Sequence, residues 1–260
     1  MLKGYLVYDK DGAVRNAWFI SRLIEVCYQL DVELKFVCPE QLETLSKADF
    51  AIVRTNNANN NKILEDKGIR VFNNYFTSKI ANDKYETYNF ARQLKIPVMP
   101  TFLEEQNSFP VIIKSVNGHG GTEVYLANTA LEQENIKSKL EGKKIIFQKP
   151  SSILGKDVRV YVLGGKILSA VERSSEESFK SNFSLGGKAN LTKITGKIKK
   201  YVKKIVKNLN CDFVGIDFVF DNGKPVLNEI EDPVGCRMLY SLTEIDVATE
   251  LISYIVKKLS

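Results

Sequence analysis

The sequence predicts an α/β protein, α+β mixed in detail, with a small parallel sheet first and strand-rich mixed units after it. Three observations carry this. Short apolar strands alternate with helical stripes in the first third. Ile96 to Thr101 then contains two prolines, which forbid helix and mark a change of pattern. Beyond Thr101 strands dominate, several joined by turn signals such as Gly164-Gly165 and Asp221-Asn222-Gly223.

Taken in order, Tyr5–Tyr8 reads as a strand. Trp18, Phe19, Leu23, Val26, Cys27 and Leu30 place an apolar stripe on a helix. Leu34–Val37, Phe50–Val53 and Arg70–Phe72 read as further strands, and helices between them imply parallel pairing with right-handed crossovers. The polar run Asn56–Asn61 reads as a loop before a short helix. A helix is expected from about Thr77 to Leu94, capped by Thr77 or Ser78. Val111–Lys114, Glu123–Leu126, Ile145–Gln148, Asp157–Val162, Lys166–Val171, Phe213–Phe220 and Val226–Glu231 are the later strands. Ile194, Ile198, Val202, Ile205 and Leu209 form one apolar face of a lysine-rich helix, and Asp246–Leu259 is the last helix.

The 260 residues suffice for a sizeable core, and 44% hydrophobic with 26% charged residues is ordinary for a globular protein. No apolar run approaches the length of a membrane span, and Met1 to Tyr5 lacks signal-peptide character, so a cytoplasmic protein with no membrane partner is expected. Cys27, Cys38, Cys211 and Cys236 are too scattered for a zinc or redox motif, and one histidine excludes a multi-histidine metal centre. Net charge +6 suits an anionic ligand, but much of the excess lies between Lys193 and Lys207, where lysines facing water explain it. Nucleic acid is disfavoured as a partner because interleaved arginines and aromatics are missing.

Three groups of residues point to chemistry. Lys114 ends a strand, and Gly118, Gly120 and Gly121 follow in a loop whose backbone N–H groups suit a polyphosphate. The loop is not a Walker A motif. Asp217, Glu229 and Glu231 are carboxylates on consecutive strands among apolar neighbours, where a cation would offset their repulsion; oxygen-only ligands suit Mg²⁺. Asp157 and Arg159 share a strand face, with Arg173 and the Lys180, Ser181, Asn182 segment beyond. Read singly, the glycine loop is better explained as a hairpin loop and the Asp157 group as surface salt bridges, whereas for the carboxylates a solvent face is the weaker explanation, because Pro233 and Gly235 redirect the chain and set Arg237 nearby. Read together, they make a nucleotide site the better explanation.

At this point the sequence resembles the ATP-grasp superfamily, specifically the RimK-type α-L-glutamate ligases and their relatives. The resemblance runs from about Phe72 to the C-terminus. It is carried by Asn82 to Lys84, Phe109 to Lys114, Gly118 to Gly121, Asp157 to Arg159, Phe179 to Asn182, Gly215 to Asp217, and Asn228 to Gly235. It implies an ATP-grasp fold with a pre-ATP-grasp domain over 1–78, a central subdomain over 79–147 and a C-terminal subdomain over 148–260. It implies ATP contacts from Lys84, Lys114, the glycine loop, the hinge Gln148, Lys149 and Pro150, then Asp157, Lys180, Ser181 and Asn182. Catalytic roles fall to Arg159, Lys180 and Asn182, and substrate contacts to Arg173 and Arg237. The metal ligands are Asp217, Glu229 and Glu231, holding two Mg²⁺ with Mn²⁺ as the alternative. The implied reaction activates a small-molecule or peptide carboxylate as an acyl phosphate and joins it to an amine, such as the amino acid glutamate. The rival is a non-catalytic ATP-binding module; a homo-oligomer is compatible with either. Three departures from the family pattern bear on this: Lys149 and Pro150 at the hinge, Glu123 for a glycine after the loop, and Glu231 for an asparagine.

Register decides whether the metal set exists. A two-residue Asn222-Gly223 turn places Asp217 and Glu229 on opposite faces. A shared face needs Asp217 opposite Glu229 and Gly215 opposite Glu231. An odd-length loop is therefore expected, with Gly223 at positive φ and Gly215 leaving room for a hydrated cation.

Overall fold

Four parallel strands open the chain in the computed structural model, which describes residues 1–176, 178–181 and 187–260. They are β1 (Leu2–Val7), β2 (Val32–Val37), β3 (Phe50–Val53) and β4 (Arg70–Phe72), in spatial order β2-β1-β3-β4. Helices α1 (Lys10–Arg15), α2 (Ala17–Gln29) and α3 (Ala58–Asp66) supply crossovers, with a 3₁₀ turn at Pro39–Thr44. α2 buries Phe19, Leu23, Val26 and Cys27, whereas Trp18 and Leu30 of the expected stripe are exposed. α3 begins inside the asparagine run, contrary to the expected loop, because the Asn57 side chain accepts from the Asn59 N–H and caps it.

The single helix expected from Thr77 to Leu94 is two: α4 (Tyr75–Ala81) and α5 (Lys84–Gln93). Asn74 and Asp83 cap them, not Thr77 or Ser78. Asp83 wins because a carboxylate at a helix start satisfies an orphan N–H and complements the dipole. The Asn82 amide meanwhile donates back to the Ser78 carbonyl, closing α4. The break makes Lys84 the first residue of α5, and its N–H donates to the Val116 carbonyl.

Next come β5 (Thr101–Phe102), β6 (Val111–Ser115), β7 (Val124–Ala127), α6 (Ala130–Lys139) and β8 (Ile145–Gln148). They form an antiparallel sheet of order β5-β8-β6-β7 with α6 covering one face. The third sheet uses β9 (Lys156–Leu163), β10 (Lys166–Ser174), β11 (Lys188–Leu191), β12 (Phe213–Asp221) and β13 (Lys224–Glu231), in order β11-β10-β9-β12-β13. The helices accompanying it are α7 (Gly196–Leu209), α8 (Arg237–Leu242) and α9 (Val247–Leu259). α7 buries Ile198, Val202, Ile205 and Leu209 and turns its lysines outward. Among the described residues no helix is long and apolar enough to cross a membrane. The structural class is thus the mixed α/β arrangement that the strand and helix patterns predict.

The β12–β13 hairpin reaches the expected register by an unexpected route. Asn222 and Gly223 both have positive φ, 48° and 71°, and form a two-residue turn with Asp221 opposite Lys224. The odd-length loop is therefore wrong. A bulge corrects the register instead: Phe218 faces Leu227 and Asp217 faces Glu229, leaving Asn228 as the extra residue. Gly215 then faces Glu231, as the shared-face argument required.

Asn73 stitches the first sheet to the third. Its amide donates to the Phe213 carbonyl at 2.6 Å and to Asp232 Oδ1 at 2.9 Å. Its oxygen accepts from the N–H groups of Asp212 and Phe213. Buried apolar side chains of β1, α2, β12 and α9 pack into one cluster beside it. Asn73→Ala leaves several buried polar groups unpaired, so a loss of about 3 kcal/mol in unfolding free energy is expected. Urea unfolding checks this; a change under about 0.5 kcal/mol, the range of an ordinary surface substitution, contradicts it.

Candidate active site

A cleft lies between the second and third sheets, and the elements above converge on it. β6 carries Lys114 to its edge, the start of α5 carries Lys84, and the loop after β6 lies alongside them. Asp157 and Arg173 enter from paired positions on β9 and β10, and Asp217 and Glu229 from paired positions on β12 and β13. Gly118, Gly121, Gln148, Lys180 and Ser181 complete the polar lining. Most of the expected nucleotide residues thus share one cavity.

Lysines are paired with the loop and with carboxylates. Lys84 Nζ lies 3.2 Å from Glu229 and also donates to the Gly118 carbonyl. Lys180 Nζ donates to the Gly121 carbonyl at 2.8 Å and sits over the Tyr125 and Phe179 rings. Gly120 and Gly121 have φ of +64° and +74°, which L side chains rarely adopt, so the loop takes this path only with glycines there. Among the described residues Lys114 Nζ hydrogen-bonds only to neutral oxygens, Tyr88 Oη at 3.3 Å and Asn228 Oδ1 at 3.2 Å. Burial, reinforced by the charge of Lys84, pushes its ammonium down to about 8. Asn228 can reach it because the bulge re-aims that side chain.

Behind the lysines lies a buried ionic cluster. Arg159 grips Asp217 two-pronged, Nε to Oδ1 and Nη2 to Oδ2 at 2.8 Å each, and its third nitrogen donates to Glu231. Arg173 grips Asp157 in the same way at 2.7 and 2.6 Å and donates to Asp217 Oδ2 at 2.6 Å. Burial pushes the Asp217 carboxyl up, but the two guanidiniums outweigh it and hold that group below its ordinary range. Asp157 and Glu231 go the other way, because burial dominates. Gly215 leaves no room for a hydrated cation: a Cβ there would lie 2.7 Å from Val234 Cγ2 and 3.4 Å from Arg159 Cδ. The space it frees admits Val234 and the arginine stem.

Some expected residues lie elsewhere. Arg159, Glu231, Arg237 and Gly120 line a second cavity beside the cleft, and Arg173 borders both. Asp217 and Glu229 face the cleft while Glu231 faces this neighbour, and among the described residues no three His, Cys, Asp or Glu side chains gather as a metal cluster. Arg237 donates to the Arg15 carbonyl at 2.6 Å, with neither Asp232 nor Glu244 as its hydrogen-bond partner. Lys149 is exposed, and neither it nor Pro150 is among the cleft-lining residues. Glu123 pairs with Lys143. Asn182 lies outside the described residues.

Sequence reasoning missed the apolar end of the cleft: Met99, Ile112, Ile153, Leu154 and Val219. Apolar side chains lining a pocket have the same spacing as those filling a core, so periodicity carries no signal for them. It also missed Asn228, which only the bulge brings inward.

The chain is similar to known proteins in both sequence and fold. A model of the RimK-like ATP-grasp domain matches residues 78–255. The protein MG011 of Mycoplasma genitalium is 31% identical over 98% of this chain and 93% of its own. A probable α-L-glutamate ligase of Hydrogenovibrio crunogenus is 29% identical over 60% of this chain, which spans about half (53%) of that protein. Among solved structures, the D-alanine–D-alanine ligase of Bacillus anthracis complexed with ATP superposes with a TM-score of 0.77 at 15% identity, covering 100% of this chain and 97% of that one. That likeness establishes the ATP-grasp fold. With its family domain matched over more than half its length, the chain belongs to the RimK-like ATP-grasp family.

Proposed function

We propose that the cleft binds ATP with a divalent cation and that the protein joins a carboxylate to an amine through an acyl phosphate. The observation that carries this is the convergence of Lys84, Lys114, Lys180 and the glycine loop on the cavity that Asp217 and Glu229 also line. The adenine fits the apolar end near Met99, Ile112 and Leu154, with polar contacts from the backbone around Gln148, because Lys149 and Pro150 stand outside the lining. The phosphates lie toward the lysines and the loop N–H groups.

The donor set suits a hard cation: two carboxylates in direct register, oxygen ligands only, on the cleft wall. Asp217 and Glu229 would hold it, and Glu231, turned toward Arg159, makes a second ion less favoured than the family pattern implies. When bound, the cation supplies charge neutralisation for the phosphates. The protein's own groups do the rest. Lys114 and Lys180 offset charge on the transferring phosphoryl group, and Arg159 and Arg173, at the boundary of the two cavities, orient the carboxylate. A carboxylate oxygen attacks the γ-phosphorus and ADP leaves. The amine nitrogen then attacks the acyl carbon, inorganic phosphate leaves, and the amine proton passes to phosphate or water. The glutamate ligase among the relatives makes an amino acid such as glutamate the first amine to try.

ADP release screened over amino acids and small peptides tests the reading. Release requiring both a carboxylate and an amine is expected; ATP bound without turnover under every pairing contradicts it. Lys114 adds a pH signature. Its ammonium titrates near 8 in the free site, and a bound phosphate favours the charged form. ATP affinity is therefore fully present below about pH 8 and falls as pH rises, approaching about tenfold per unit. Lys114→Ala should bind ATP at least about tenfold more weakly and lose that slope. Calorimetric titrations from about pH 7 to pH 9.5 check both; a flat wild-type profile refutes the role of Lys114. Asp157→Ala breaks a buried ion pair, so unlike Lys114→Ala it should also destabilise the fold, by about 3 kcal/mol. Thermal unfolding of the two variants separates the effects, and equal stability contradicts the pairing.

A further inference from the structure

The second cavity encloses about 260 Å³ between the carboxyl end of the first sheet and the third sheet, continuous in its lining residues with the cleft through Arg173. Five arginines border it, against one acid, Glu231. Two of them, Arg159 and Arg173, are matched by Asp157, Asp217 and Glu231. The other three, Arg15, Arg54 and Arg237, have no carboxylate partner among the described residues.

Arg54 differs from the two exposed arginines at the mouth. It follows β3, at the carboxyl edge of the parallel sheet, where open α/β sheets place ligands. It is half-buried and held on both sides: Nε donates to Tyr8 Oη at 3.2 Å and Nη2 to the Val234 carbonyl at 2.8 Å. The guanidinium carbon lies 5.5 Å from the centre of the Phe19 ring. Every one of these partners is neutral. The buried Asp232 carboxyl favours this cation through space but forms no ion pair with it among the described residues, so the guanidinium keeps the capacity to bind an anion directly. Among the described residues no oxygen accepts from Nη1, and the Cys236 thiol lies beside the guanidinium, so a guanidinium edge remains open to an anion that enters the chamber.

We propose that Arg54 is a specificity-determining residue, and that the chamber takes a substrate with two carboxylates, one activated at the cleft and the other seated on Arg54. This rests on the ligase reading of the cleft. The cavity volume is that of a small organic acid, below the span typical of larger ligands. Carboxylate geometry matches a guanidinium edge, and Arg15 and Arg237 add positive potential at the mouth. The substrate is thereby chosen by the first sheet, while the nucleotide is held by the other two.

Trp18, the single tryptophan, borders the chamber and lies edge-on to Tyr240 at 5.0 Å, so its fluorescence reports on occupancy. The full-length protein is titrated, without nucleotide, with glutarate, with valerate (one carboxylate, the same carbon chain) and with inorganic phosphate. ATP is titrated separately by calorimetry. Glutarate should bind at least about tenfold more tightly than valerate. Arg54→Met should remove that preference while ATP affinity stays within about twofold, and Arg54→Lys should retain part of it, since lysine keeps the charge but not the two-pronged edge. Equal binding of glutarate and valerate by the wild type, or a preference that survives in Arg54→Met, overturns the proposal. So does phosphate outcompeting glutarate, which would make the seated group a phosphate. If Arg54→Met does not fold, the wild-type preference and Arg54→Lys still decide. Glutarate selectivity in a protein that fails to bind ATP supports the chamber and counts against the ligase reading of the cleft.

Discussion

Asp217 accepts hydrogen bonds from two arginines at once, and the rest of the site is arranged around that fact. Arg159 and Arg173 come from different strands, β9 and β10, and meet on one carboxylate of β12. Each guanidinium then reaches a further acid, Glu231 or Asp157, so four strands, β9, β10, β12 and β13, are tied by charge through a sheet otherwise packed with apolar side chains. Such a cluster is weak evidence for net stability, because desolvating five ionised groups offsets most of the attraction. Its value is positional. Removing any one member leaves a buried charge unmatched, which costs about 3–5 kcal/mol, so the geometry tolerates little variation. The cluster also separates the two cavities: Asp217 and Asp157 face the cleft, Glu231 faces the neighbouring chamber, and Arg173 borders both.

In front of the cluster, the lysines are held by the loop they serve. Lys84 and Lys180 donate to the carbonyls of Gly118 and Gly121, both of which line the cleft. In the proposed ATP site the two lysines would exchange these carbonyl partners for phosphate oxygens. Both exchanges replace a neutral acceptor with an ionised one, which strengthens each hydrogen bond. Lys114, with no anionic hydrogen-bond partner among the described residues, is the group on which phosphate would act most directly in the proposed site.

Much of this was legible in the sequence. The strands were, because period-two runs bounded by glycine and proline have few alternatives, and so was the grouping of Lys114, the glycine loop, Asp157 and Asp217. What was not legible has definite physical causes. The β12–β13 turn is the even-length one that its Asn-Gly pair favours, and a single bulged residue, Asn228, restores the shared face; a bulge leaves no mark in local composition. The helix break at Asn82 and Asp83 was hidden because both residues are tolerated in helices and only the capping bond to Glu86 selects the boundary. Arg54 and Asn73 carried no signal, since each acts on residues more than a hundred positions away. Glu231 was expected beside Asp217 and Glu229; it does share their strand pattern, but Arg159 draws it to the other cavity.

The central claim is that a carboxylate is activated by phosphorylation before an amine displaces the phosphate. It is tested most directly by following oxygen. A carboxylate substrate found in the ADP-release screen is labelled with ¹⁸O in both carboxyl oxygens and turned over with ATP and its amine. Inorganic phosphate is then examined by mass spectrometry. The acyl-phosphate route predicts one labelled oxygen in each phosphate released and one retained in the amide. Phosphate without label, formed at the rate of amide synthesis, would contradict it.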